Sequence, residues 1–232
     1  MRAAGTESNF TEVCSAETLS NMRYLLPMRA VIFDFGGVVA RFRPQQRLEA
    51  LATATGLTTA AVHSALFTSG WDVACDRGEY TRDDAYEAAL RHLGASLTYE
   101  EFSAAWTTAF EPDIDVLRLV RDVRQAGLKT GLLTDNGPVL RDALPVLLPG
   151  LSLYCDSVVF SCDVGVTKPD PRAFRRALST LGIEPHQALF VDDSQVNVDA
   201  ARKLGMTAHL FSDPTRLRLE LEDLGVLSTD HR

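Results

Sequence analysis

"VIFDFGGVV", residues 31–39, is the stretch whose reading decides the fold. Together with Ala30 it opens as an unbroken apolar run, short and rich in β-branched and aromatic residues, the pattern of a strand buried on both faces. The run delivers Asp34 onto Gly36 and Gly37, which end it. Similar apolar runs follow: "LKTGLL" at 128–133 after a helical stretch near 113–126, "SVVF" at 157–160, "QALFVD" at 187–192 and "TAHLF" at 207–211. Helix-period segments separate them. Strands alternating with helices imply an α/β protein with a parallel, Rossmann-like, doubly wound sheet. Ligands of such sheets bind outside the carboxyl ends of the strands, so the informative residues are those just after each run.

Between the first and second runs, residues 44–111 carry helical periodicity throughout and no strand signal. Leu48, Leu51 and Ala52 share one helical face, and "TTAAVHSALF", "TRDDAYEAALRHL" and "TYEEFSAAWTTAF" repeat the spacing. Thr58, Thr81 and Thr98 are expected N-caps, and Glu101 three residues after Thr98 has capping-box spacing. The organisation expected is a core of residues 28–43 and 112–232, interrupted by a four-helix insertion at 44–111. Residues 1–27, polar and lacking the apolar centre of a secretory signal, read as a disordered extension. The terminal "GVLSTDHR" reads as frayed.

The strand ends present Asp34, then Thr134, Asp135 and Asn136, then Asp192 and Asp193, with Lys168 in the loop after "SVVF". A parallel sheet brings all of them to one edge. Carboxylates gathered in a crevice repel one another unless a cation neutralises them. An all-oxygen donor set suits Mg²⁺, which phosphate oxygens commonly complete. Lys168, the Thr134 hydroxyl and the backbone N–H groups of Phe35, Gly36 and Gly37 are suited to the remaining oxygens of a phosphate.

These residues resemble the haloacid dehalogenase-like hydrolases, many of which are Mg²⁺-dependent phosphatases, and all four motifs of the family appear in order over about residues 29–212. "VIFDFGGVV" is similar to the first, which makes Asp34 the nucleophile that forms an aspartyl-phosphate, with the Gly36 carbonyl on the metal. "GLLTDNG" resembles the second and implies that Thr134, with Asp135 and Asn136, binds the phosphoryl group. "GVTKPDPRAF" resembles the third and assigns Lys168 to charge stabilisation. "LFVDDSQVNVDAARKLGM" resembles the fourth, with Asp193 on Mg²⁺ directly, Asp192 assisting and Asp34 completing the acidic set. The resemblance also implies that the helical insertion is a cap that closes over the site and selects the substrate.

One departure stands in the first motif. Phosphatases of this family usually carry a second aspartate two residues after the nucleophile, the general acid and base; here that residue is Gly36. General acid–base catalysis contributes about 10²–10⁴ in rate. Three readings follow: a substrate with a good leaving group, such as an anomeric sugar phosphate; a proton from the cap segment "WDVACDRGEY", through Asp72, Asp76, Arg77 or Glu79, or from water; or a protein that is no phosphatase. The last includes a 2-haloacid dehalogenase, which also lacks that acid and needs no Mg²⁺, and an inactive binding or regulatory module. Asp135 adds a negative charge close to the phosphate, unfavourable unless it faces away or meets a cation.

The formal net charge of −8 disfavours a nucleic-acid binder, and no apolar run reaches the length of a membrane span. A small phosphorylated metabolite is the expected partner. Four scattered cysteines without a Cys-x-x-Cys pair read as reduced, in keeping with a cytoplasmic protein. The five histidines lack ligand spacing. Of the two tryptophans, Trp71, in the loop beside Gly70, is the one assigned to the substrate pocket, and Trp106 to the core of the insertion.

Overall fold

The computed structural model describes residues 28–229; the expectations for residues 1–27 lie outside them. Five parallel strands form the central sheet: β1 (Ala30–Phe33), β4 (Lys129–Thr134), β5 (Ser157–Phe160), β6 (Ala188–Asp192) and β7 (Thr207–Leu210). Their order is β5-β4-β1-β6-β7. The chain leaves β1 for β4 on one side and later returns to β6 on the other, so the strand order reverses at β1, where a ligand crevice opens in such sheets. The register pairs Phe33 with Leu132 and with Val191. Asp34 N–H continues the ladder to Val191 O at 2.8 Å, which sets Asp34 level with Leu133 and Asp192.

Side chains alternate across each strand, so β1 feeds two cores. Val31 and Phe33 pack with Val116, Val120, Leu140 and Leu217, while Ile32 packs with Phe174, Phe190 and Val198. The helices behind these residues are α6 (Ile114–Gln125), α7 (Pro138–Leu147) and α11 (Pro214–Asp223) on the first face, and α9 (Pro171–Leu181) and α10 (Gln195–Lys203) on the second. After α11, Val226 is buried and Leu227 packs against the core, so the expectation of a frayed end is corrected at these two apolar residues; residues 230–232 lie outside the described residues.

The insertion contains α1 (Pro44–Thr55), α2 (Thr59–His63, continued as a π-helical turn Ser64–Thr68), α3 (Trp71–Asp76), α4 (Arg82–Leu93) and α5 (Tyr99–Thr107). Thr58, Thr81 and Thr98 each accept a backbone N–H, and both bonds of the Thr98–Glu101 capping box form. The expectation of helix alone over this segment is corrected at its edge, because a two-stranded antiparallel ribbon, β2 (Ala40–Phe42) with β3 (Phe110–Pro112), carries the chain into and out of it. Three-residue strands hold too little sequence to display a period.

The insertion has its own core of Leu51, Leu66, Trp71, Phe102 and Trp106, which reaches down to Val139 of α7. It also touches the sheet domain at two glycines. A Cβ on Gly137 would meet Cys75 Cβ at 2.7 Å, and one on Gly78 would meet Cys162 O at 2.1 Å. Only glycine permits such an approach, so the helices sit directly over the strand ends.

Candidate active site

Lys168 is the centre of the site. Its ammonium lies 2.7 Å from Asp34 Oδ1 and 2.7 Å from Asp192 Oδ2, and donates to Leu133 O at 3.2 Å. The three partners are the row that the β-register sets level, so one lysine bridges the ends of three adjacent strands. Burial by itself lowers the pKa of the ammonium, but Asp34 and Asp192 together outweigh it and raise the pKa, keeping Lys168 charged.

Asp192 is fully buried and well anchored: besides Lys168, Ser194 N–H donates to Oδ1 at 2.8 Å and Asn197 Nδ2 at 3.1 Å. Asp193 is exposed, and its carboxylate fills the space where Gly37 would carry a Cβ, with Oδ2 2.1 Å from that position. Gly37 also has φ of 91°, so the second glycine of the motif meets both a backbone and a contact demand.

Asp34, Asp192 and Asp193 each offer an oxygen within 4.8 Å of the others. Burial raises the pKa of Asp34 to about 7, against Lys168 and with Asp192 adding to the rise; burial and then Asp192 raise that of Asp193 as well. Asp34, Asp135, Asp192 and Asp193 thus face the single positive charge of Lys168. This surplus of hard oxygen donors fits Mg²⁺, which these three carboxylates and the Gly36 carbonyl would hold and which would compensate charge on phosphoryl oxygens.

A cavity of about 220 Å³ opens beside this cluster, lined by Asp34, Gly36, Thr134, Asp135, Asn136 and Lys168 from the sheet domain. Asn136 Nδ2 donates to Thr134 Oγ1 at 2.8 Å, which leaves the threonine proton free to point at an anion. Asp135 lines the cavity, and its Oδ1 accepts from Lys168 N–H at 2.9 Å, so the side chain also holds the lysine loop; burial, against Lys168, raises its pKa. The Phe35 side chain lies in the core against Phe110, leaving its backbone for the site.

Trp71 is also a correction. It is buried inside the insertion with Nε1 donating to Ala85 O at 2.9 Å, and it does not line the cavity. Trp106 does, alongside Phe42, Phe67 and Phe110. Trp106 is part of the core of the insertion, as expected, and lines the cavity as well; the facing direction of Trp71 on its short helix follows from packing. Arg47 and Asn197 also line the cavity, although sequence reasoning did not single them out. For Asn197 a signal was present, since it lies inside the fourth motif at the start of a helix; for Arg47 there was none.

Gly36 explains itself structurally. A Cβ there would sit 3.1 Å from Phe110 Cε1 and 3.9 Å from Phe42 Cδ2. Aromatic rings from the β2–β3 ribbon crowd this position, so a side chain here would require the Phe110 ring to give by a few tenths of an ångström. Acids are instead supplied from α3: Asp72 and Asp76 line the same cavity.

The family described as haloacid dehalogenase-like hydrolase matches residues 28–205. Among curated relatives, phosphatase MT3486 of Mycobacterium tuberculosis is 27% identical over 218 residues, covering 87% of this chain and 97% of that protein. The D-ribitol-5-phosphate phosphatase of Bacteroides thetaiotaomicron is 26% identical over 185 residues, covering 77% and 89%. The chain spans only 26% and 39% of the rat and mouse proteins named bifunctional epoxide hydrolase 2, which it also matches. A solved HAD family enzyme from Bacteroides thetaiotaomicron, in complex with magnesium and inorganic phosphate, superposes with a TM-score of 0.71 at 18% identity, covering 82% of this chain and 98% of that one. With three quarters of its residues in the family match, the chain belongs to the haloacid dehalogenase-like hydrolases.

Proposed function

We propose that the protein is a Mg²⁺-dependent phosphatase that removes the phosphoryl group of a small phosphorylated metabolite, with sugar phosphates foremost, through an aspartyl-phosphate on Asp34. The observation that carries this reading is the Lys168 bridge between Asp34 and Asp192 at the mouth of a cavity that also holds Thr134. Residues 44–111 act as the cap. The phosphatases among its relatives and the magnesium and phosphate in the Bacteroides structure support it.

Lys168 orients one Asp34 oxygen and favours the ionised carboxylate against burial, and the other oxygen attacks phosphorus while the bond to the leaving oxygen breaks. Thr134 and Asn136 hold phosphoryl oxygens. Asp76 supplies the proton that Gly36 cannot. Burial, then Asp135 and Asp72, raise its carboxyl to about 8 against the pull of Arg47 and the Gly137 N–H, so it is protonated at neutral pH. After giving that proton to the leaving oxygen, the Asp76 carboxylate takes one from water, whose oxygen attacks phosphorus and releases inorganic phosphate from Asp34.

A panel of phosphorylated metabolites assayed for phosphate release in Mg²⁺ or in EDTA tests the reading. Release that EDTA stops is expected. Metal-independent chloride release from 2-chloroacids, with no phosphate release, would instead favour the dehalogenase.

Asp76 gives a separate expectation. The rate with an alkyl phosphate should fall on the alkaline side with an apparent pKa near 8, where the acid ionises. Asp76→Asn should lower kcat by about 10²–10⁴ and flatten that limb, with a smaller loss on p-nitrophenyl phosphate, whose leaving group needs no proton. An unchanged alkaline limb in the variant would remove Asp76 from this role.

A further inference from the structure

Away from the phosphoryl end, the cavity is bounded by two charged groups of opposite sign that do not pair. Arg47 on α1 is 4% exposed, with its guanidinium 3.7 Å above the Trp106 ring and Nε donating to Trp106 O at 2.8 Å. Its Nη2 is buried without a partner, and no carboxylate forms an ion pair with it among the described residues. Asp72 on α3 lines the same cavity, and its Oδ1 is likewise buried without a partner. An arginine does not shed its charge at neutral pH, and a buried polar group left unmatched is destabilising, so such groups call for a ligand or an ordered water.

We propose that Arg47 and Asp72 form a clamp for hydroxyl groups on the leaving moiety, through which the cap selects a neutral polyhydroxylated phosphate ester over an alkyl or an anionic one. The inference rests on the phosphatase reading of this cavity. A hydroxyl is the group that both accepts from a guanidinium and donates to a carboxylate, so neighbouring hydroxyls satisfy Nη2 and Oδ1 together. A second anion on the substrate fits poorly. Asp34, Asp72 and Asp135 line the cavity against Lys168 and Arg47, and the phosphoryl group claims the lysine. Phe67 and Trp106 offer apolar faces to the carbon chain between the hydroxyls.

The test compares kcat/KM for erythritol 4-phosphate, n-butyl phosphate and 3-phosphoglycerate in the wild type, Asp72→Asn and Arg47→Lys. The wild type should prefer the polyol ester by about tenfold or more over each of the others. Each variant should shrink the preference over the butyl ester by about tenfold, mainly through KM, because the alkyl chain makes no use of either group. Equal losses on both esters would mean that the two residues only support the cap and would overturn the clamp. So would a wild type that treats the esters alike or prefers the phosphoglycerate. Phosphate release from none of the three, nor from p-nitrophenyl phosphate, would sink the phosphatase reading itself. Asp72→Asn changes one oxygen to nitrogen on a half-buried residue, so it carries the test if Arg47→Lys fails to fold.

Discussion

Asp34→Asn is expected to lose phosphate release by at least about 10⁴-fold, the scale on which removal of a covalent nucleophile acts. The amide has the size of the carboxylate but no charge with which to attack phosphorus. The fold should be retained. Lys168 keeps Asp192 at 2.7 Å, and the Asp34 carboxyl, raised to about 7 in the folded protein, destabilises the native state when ionised. A group with a raised folded pKa binds more protons folded than unfolded between its two pKa values, so its ionisation lowers stability as pH rises through that window, here about 4 to 7. The variant is relieved of this, and in EDTA at pH 8 its Tm should equal or exceed that of the wild type. Residual activity within about tenfold of wild type would mean that water attacks phosphate directly, without the aspartyl-phosphate.

Lys168→Met is expected to damage both activity and stability. The thioether fills much of the lysine's volume but leaves Asp34 and Asp192 facing each other across a buried site without their shared cation. Breaking a buried ion pair by removing one partner costs about 3–5 kcal/mol, which for a chain of this size lowers Tm by roughly 10 °C. Phosphate release should fall by about 10³ or more, since the lysine both orients the nucleophile and offsets charge that develops on the phosphoryl group. The stability loss has a defined sign with pH. Without Lys168 the Asp34 carboxyl loses the group that opposes the rise in its pKa, so the deficit should be greatest above pH 7 and shrink toward pH 4. Thermal unfolding of wild type and variant at pH 5 and pH 8 checks this; a deficit equal at both would locate the damage in packing alone.

The two substitutions concern residues that were legible before any fold was known, whereas Arg47 and Trp106 were not, and the contrast is physical. Asp34, Thr134, Lys168, Asp192 and Asp193 follow apolar runs, and a parallel sheet carries whatever follows its strands to one edge. Trp71 and Trp106 lie on the same helical insertion, and both are apolar and aromatic. Which of them faces the cavity depends on helix rotation, and here Trp71 turns inward to bond Ala85 O while Trp106 turns out beneath Arg47. Arg47 looks like any solvated helix residue, because its burial is created by Trp106, 59 positions away.

By itself the sequence determined the five strands, the threonine caps and the acidic strand ends, since period, capping and strand termination act over a few residues. The tertiary structure alone decided the β2–β3 ribbon, the binding of the Asp135 side chain to the Lys168 loop 33 positions away, and the close approach of Phe110 to Gly36. Each of these depends on residues far apart in the chain meeting at van der Waals or hydrogen-bond distance, and such meetings are settled by packing between elements, not by the preferences of any one of them.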